Sequence, residues 1–86
     1  MRNATISAQA PSYAPDGSQG YCLTVTGERP ASGWTVSGWI HVGDDGRTVY
    51  ASIDGAPSQS VGTVASPAEL TIDWIDRHAD EIQRPF

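Results

Sequence analysis

Apolar and polar residues alternate most clearly from Tyr21 onward. Tyr21, Leu23 and Val25 alternate with Cys22, Thr24 and Thr26, the period of a half-buried strand, and predict a strand over 20–27. The same period runs through 34–42 and 47–53. Between those two segments lies Gly43-Asp44-Asp45-Gly46, whose glycines can supply the positive φ angles of a tight hairpin turn. An even loop there places Ile40 opposite Val49, Gly38 opposite Ala51 and Val36 opposite Ile53, which makes one apolar face. It also places Trp39 opposite Tyr50, His41 opposite Thr48 and Ser37 opposite Ser52 on the other face. A slip of one residue would exchange the faces, so the hydrophobic pattern favours the even turn. A weaker strand, with Ile6 as its one large apolar residue, is predicted over 4–9, and 60–65 is a candidate fifth strand weakened by Gly62. Two stretches read as loops: 10–19, with Pro11, Pro15 and Asp16-Gly17, and 28–33, with Pro30.

After Ala65 the period changes. Ser66-Pro67-Ala68-Glu69 has the form of a capping box, with a serine N-cap, a proline at the first helical position and a glutamate two residues later. It predicts one helix over 67–83, which Pro85 prevents from running further. At about 100° per residue, Ala68, Ile72, Ile75, Ala79 and Ile82 fall in one stripe able to lie on a sheet. Leu70 and Trp74 fall to one side of it, either packing over the sheet edge or forming an apolar patch, with core packing the better fit. Glu69, Asp73, Asp76 and Asp80 form a ridge on the opposite face. The predicted fold class is α+β: one domain over 1–86, with a small antiparallel sheet of four strands, or five with 60–65, and one amphipathic C-terminal helix on one face.

Charge narrows the classes of partner. Ten acidic residues stand against five basic ones, all arginine (Arg2, Arg29, Arg47, Arg77, Arg84), for a formal net charge of −5. Direct nucleic-acid binding needs clustered cations to displace phosphate counterions, and the sequence has none. The acidic balance points to a basic protein partner or to solubility alone. The single cysteine, Cys22, allows neither an internal disulfide nor a thiolate metal cluster. No stretch approaches the roughly 18 apolar residues of a membrane span, and no signal-like run follows Met1, so a cytoplasmic location is expected.

Few residues are candidates for chemistry. His41 and His78 are the two imidazoles, and neither has a companion at triad or ligand spacing. Asp44-Asp45-Gly46 lacks the spaced oxygens and distal glutamate of a calcium loop. With no phosphate loop, dinucleotide fingerprint, zinc motif or nucleophile elbow, the expectation is a non-enzyme without metal or cofactor. What remains is surface. The ridge of Glu69, Asp73, Asp76 and Asp80, with Asp44 and Asp45 at the hairpin tip, is suited to an arginine- or lysine-lined groove, although an ordinary solvated helix face shows the same pattern. Trp39 and Tyr50, on the side of the sheet away from the helix, are suited to a protein interface or to stabilising each other across strands.

A short antiparallel sheet over 21–53 followed by an acidic helix over 66–83, on a chain of 86 residues, resembles small phage-encoded inhibitors of bacterial defence of the anti-CRISPR kind. The likeness covers most of the chain and is architectural, and no residue role is carried over from it. It implies a CRISPR surveillance complex or its nuclease as the partner and occlusion of DNA as the effect, in the cytoplasm of a bacterial host. Two other functions fit the same residues: a structural or assembly subunit that forms homodimers, and an antitoxin-like partner of a basic toxin.

Overall fold

A computed structural model describes residues 4–13, 19–27 and 34–86. The turn-rich stretch around Pro15 and Asp16-Gly17 and the 28–33 loop lie outside the described residues. Five strands form one antiparallel meander: β1 (Ala4–Tyr13), β2 (Gln19–Gly27), β3 (Trp34–Val42), β4 (Thr48–Ile53) and β5 (Gln59–Thr63), in spatial order β1-β2-β3-β4-β5. The sheet curls, and its inner face carries the buried Ile6, Leu23, Val25, Ile40, Val49, Ala51, Ile53 and Val61. The α+β class is as the sequence predicts.

β1 continues through Pro11 to Tyr13, past the point where proline suggested a loop. Two features accommodate it. β1 is an edge strand, and its register with β2 shifts between Ala8 and Pro11, where two β1 residues stand against Cys22 alone. A proline lacks the N–H of a central strand, and edges and bulges are where that loss is tolerated.

The predicted β3–β4 register moves by two residues. Val42 pairs with Val49, Ile40 with Ala51 and Gly38 with Ile53, while Trp39 pairs with Ser52 and His41 with Tyr50. Trp39 and Tyr50 are therefore not direct partners, and neither are His41 and Thr48. Because the shift is even, every side chain keeps its predicted face. The cause is the turn itself. The Gly43 N–H donates to the Thr48 carbonyl at 2.8 Å, so the open loop is Asp44 to Arg47, one residue later than expected. Gly46 within the loop has a positive φ, of 71°, and Gly43, which closes it, does not. The β4–β5 connection begins with Asp54 and Gly55, at φ 56° and 75°, closed by Ala56 N–H donating to the Ile53 carbonyl at 3.0 Å. Consecutive positive φ angles are the hairpin geometry whose twist matches that of the strands.

The C-terminal segment is divided where one helix was predicted. A 3₁₀ turn (Pro67–Glu69) is followed by two short helices, α1 (Ile72–Arg77) and α2 (Ala79–Gln83). Ser66 makes no side-chain cap, and Glu69 instead accepts from the Ala65 N–H. The working cap is Thr71, extended at φ −129°, whose Oγ1 accepts the Trp74 N–H at 3.2 Å. The second break is at His78, with φ −112° and ψ 21°.

These breaks change which residues face inward. Leu70, Trp74, Ile75 and Ile82 are buried, whereas Ile72 is 41% exposed and Ala68 is exposed. On an unbroken helix the four buried residues would spread over about 140° of arc at ~100° per residue. The extended residues Leu70 and Thr71 let Leu70 turn inward independently of α1. α1 packs on β1, and α2 packs on β5 and β1, so the segment spans the two edge strands. Trp74 reaches β5 as well: a Cβ on Gly62 would lie 3.1 Å from Trp74 Cη2, so the indole rests on bare backbone.

This phase yields an expected contrast in stability. Trp74→Ala should cost ~3–5 kcal/mol in urea unfolding, as for a fully buried aromatic. Ile72→Ala should stay within ~0.5 kcal/mol, as for a surface change. Equal losses at the two positions would point to an unbroken helix with Ile72 in the core.

Candidate functional site

The carboxylates of the described chain all lie on its surface. Asp44, Asp45, Asp54, Glu69, Asp73, Asp76, Asp80 and Glu81 are all exposed. The predicted acidic ridge is not one continuous row, because its members sit on three elements. Glu69 ends the 3₁₀ turn, Asp73 and Asp76 lie on α1, and Asp80 lies on α2.

Their partners differ too. Glu69 is engaged by the Ala65 N–H, and Asp73 accepts from Arg77 Nε at 2.9 Å. That pair is exposed at both ends and spaced i, i+4, which limits it to about 0.3–0.5 kcal/mol. Asp76, Asp80 and Glu81 have no partner among the described residues. The break at His78 also alters their electrostatics: Asp80 and Glu81 fall in the first turn of α2, where the helix dipole favours anions, rather than in the last turn of a long helix.

The hairpin tip holds the second acidic point. Asp45 Oδ1 accepts the N–H of Arg47 at 2.9 Å and of Thr48 at 2.8 Å, and Oδ2 accepts the Thr48 hydroxyl. The Thr48 hydroxyl above all, then the Thr48 and Arg47 N–H groups, hold its pKa down at about 2 against an ordinary 3.8. Asp45 is thus an architectural carboxylate that fixes the shifted turn. Asp44 beside it is exposed and has no partner among the described residues.

On the outer face of the sheet, Trp39, His41 and Tyr50 are half-buried. Trp39 lies across β2: a Cβ on Gly20 would be 2.8 Å from its Cζ2. Tyr50 stacks on its cross-strand partner His41, with ring centroids 5.9 Å apart and planes at 27°. The aromatic contact expected between Trp39 and Tyr50 is therefore made between His41 and Tyr50. Sequence reasoning missed His41 as a platform residue, since only the true register sets it against Tyr50. Cys22 pairs with Trp39 on this face and is a free thiol.

No family model, curated protein or solved structure matches the chain.

The other histidine is structural. His78 stacks on Trp74 at 4.0 Å and 14°, and its Nδ1 donates to the Trp74 carbonyl at 2.8 Å. The same carbonyl accepts the His78 N–H at 3.0 Å. Among the described residues, no three His, Cys, Asp or Glu side chains are grouped to hold a metal ion, and no helix is long and apolar enough to cross a membrane.

The Asp45 turn has a testable acid dependence. Its folded pKa lies below the unfolded value, so the stabilisation from ionised Asp45 is complete above about pH 3.8 and is lost as pH falls through about 2. Asp45→Asn keeps an acceptor oxygen but not the charge. The Tm of the native chain should exceed that of the variant at about pH 5, and the gap should narrow steadily toward about pH 2. A constant gap would mean that ionisation of Asp45 does not hold the turn.

Proposed function

We propose that this chain is a non-enzymatic, acidic protein-binding module that offers carboxylates to a basic partner. Catalytic carboxylates are commonly recognised by burial and by pKa values shifted toward their task. Here all eight described carboxylates are exposed, and that observation carries the reading. The lowered pKa of Asp45 has turn hydrogen bonds as its main cause. Three arginines share the described chain with these eight, and one of them, Arg77, is paired with Asp73. The docking surface in this reading centres on Asp76 and Asp80, which have no partner among the described residues, with Glu69 and Asp73 beside them and Asp44 at the hairpin tip.

The partner we favour is a protein whose basic groove normally receives a nucleic-acid backbone. The architectural resemblance to phage-encoded inhibitors makes this a CRISPR surveillance complex or its nuclease, met in the bacterial cytoplasm. A set of exposed carboxylates on neighbouring elements is chemically suited to such a groove, because the groove's arginines and lysines already select anions. A second reading, self-association through the outer face, is favoured by the half-buried Trp39, His41 and Tyr50, since the buried hydrophobic residues of the described sheet all belong to the inner face.

Competition for target DNA tests the first reading. The purified chain should displace target DNA from a CRISPR surveillance complex, and a double variant with Asp76→Lys and Asp80→Lys should fold with unchanged circular dichroism yet lose at least ~10-fold in affinity. Equal competition by the variant would remove the helical carboxylates from the interface. Sedimentation separates the second reading, in which the chain is a dimer at micromolar concentration and Trp39→Ser makes it monomeric.

A further inference from the structure

The acidic reading leaves one feature of the hairpin tip unused. An open cleft of about 440 Å³ is lined by His41, Gly43, Asp44, Asp45 and Tyr50. Two of its five residues are aromatic, the stacked rings of His41 and Tyr50. Gly43 lets the tyrosine ring lie down on the backbone: a Cβ there would be 2.6 Å from Tyr50 Cε2, so any other residue would push the ring away. His41 Nδ1 donates to the Val42 carbonyl at 3.1 Å, which orients the ring. A carbonyl can only accept, so Nδ1 carries the hydrogen and the neutral ring keeps Nε2 as an acceptor.

The remaining side chains are anionic. Asp45, held at a pKa of about 2, is ionised at any neutral pH, and its hydrogen bonds to Thr48 and Arg47 fix its position. Asp44 has no partner among the described residues and can turn toward an incoming donor. Arg47, two residues past Asp45, does not line the cleft, and its charge is the smallest of the influences that lower the Asp45 pKa.

A ligand for this cleft must satisfy both kinds of wall. An anion is repelled by the two carboxylates, and an apolar group would desolvate them without replacing their hydrogen bonds. A cation is drawn by the carboxylates and by the aromatic faces. Between the two biological side-chain cations, a guanidinium is planar, stacks on rings, is weakly hydrated and carries five donors, whereas an ammonium is a strongly hydrated point charge.

We propose that this cleft receives an arginine side chain presented by the partner protein and distinguishes it from lysine. The proposal rests on the reading of the chain as a protein-binding module and names the side chain that one part of the module selects. It assigns His41 and Tyr50 the stacking surface and Asp44 the adaptable carboxylate, with Asp45 as the fixed one.

The test is a pair of titrations of the full, ¹⁵N-labelled chain with acetyl-Gly-Arg-Gly-amide and with its lysine counterpart. The arginine peptide should shift amide signals of residues 41–45 and 50 and bind at least about threefold more tightly than the lysine peptide, since the guanidinium can stack flat on a ring while its donors reach the carboxylates. Tyr50→Leu should abolish that preference. Because Tyr50 also packs on Gly43, Asp44→Asn provides a variant at an exposed position with no partner among the described residues, and it should weaken the arginine peptide with no change in Tm. Equal binding of the two peptides, no response at all, or shifts confined to residues 73–81 would overturn the cleft assignment, and the last would leave the helical docking surface standing. An arginine response at the tip in a chain that fails to compete with target DNA would uphold the cleft and remove the CRISPR complex as the partner.

Discussion

The fold depends on Trp74 lying against Gly62. A curled five-strand meander has a concave apolar face and two edges, and it cannot exclude water from that face without a lid. The lid is made of a six-residue and a five-residue helix, each far too short to persist alone. Packing must hold them in place, and Trp74, 2% exposed, is the largest side chain that does so. α1 lies on β1 while its indole reaches β5, so one residue ties the first strand to the last. Gly62 permits the approach, and the bulge beside it, where β5 carries Val61 between the partners of Val49 and Tyr50, turns Val61 into the core. The glycine that weakens β5 as a strand is the seat of the residue that covers the sheet.

The same device recurs on the outer face. Trp39 covers Gly20, and Tyr50 covers Gly43, each ring lying where a Cβ would collide with it. Aromatic cover of this kind restores contact area that a glycine takes away from a strand. It also sets which way the rings point. Trp39 leans toward β2 and Tyr50 toward the hairpin tip, so the outer face carries two separate aromatic surfaces rather than the single pair that facing positions would give. One of them meets the carboxylates of the turn.

The strands and their faces were legible because a period of two is hard to mimic, and because an even register shift leaves each side chain on its face. The register itself was not. It depends on the Asp45 carboxylate taking the N–H groups of Arg47 and Thr48, a choice that Asp44 could have made equally well by composition. In the C-terminal segment, Ser66-Pro67-Ala68-Glu69 has the form of a helix start and makes only a 3₁₀ turn. Thr71, followed by Asp73 in the first turn, was the signal of the true start, and it stood inside the predicted helix, where a threonine draws little notice. The identities of the acidic residues were legible, whereas which of them are partnered was not. That depends on Arg77 lying one turn past Asp73 and on Glu69 folding back to Ala65.

The carboxylates therefore divide by what folding asks of them. Asp45, Glu69 and Asp73 accept hydrogen bonds within the chain, and Asp54 occupies a left-handed turn position. Asp44, Asp76, Asp80 and Glu81 have no partner among the described residues. Repulsion between such exposed like charges one helical turn apart costs only about 0.2–0.5 kcal/mol per pair, so leaving them unpaired costs the fold little. A cation brought to them breaks no internal bond, and binding need not compete with stability. The hairpin tip places one residue of each kind side by side, with Asp45 holding the loop in shape and Asp44 left available. A rigid anion beside an adaptable one, next to a stacked aromatic surface, suits recognition of a planar, multiply donating cation better than a loose run of acids would, because part of the ordering cost is met when the turn folds.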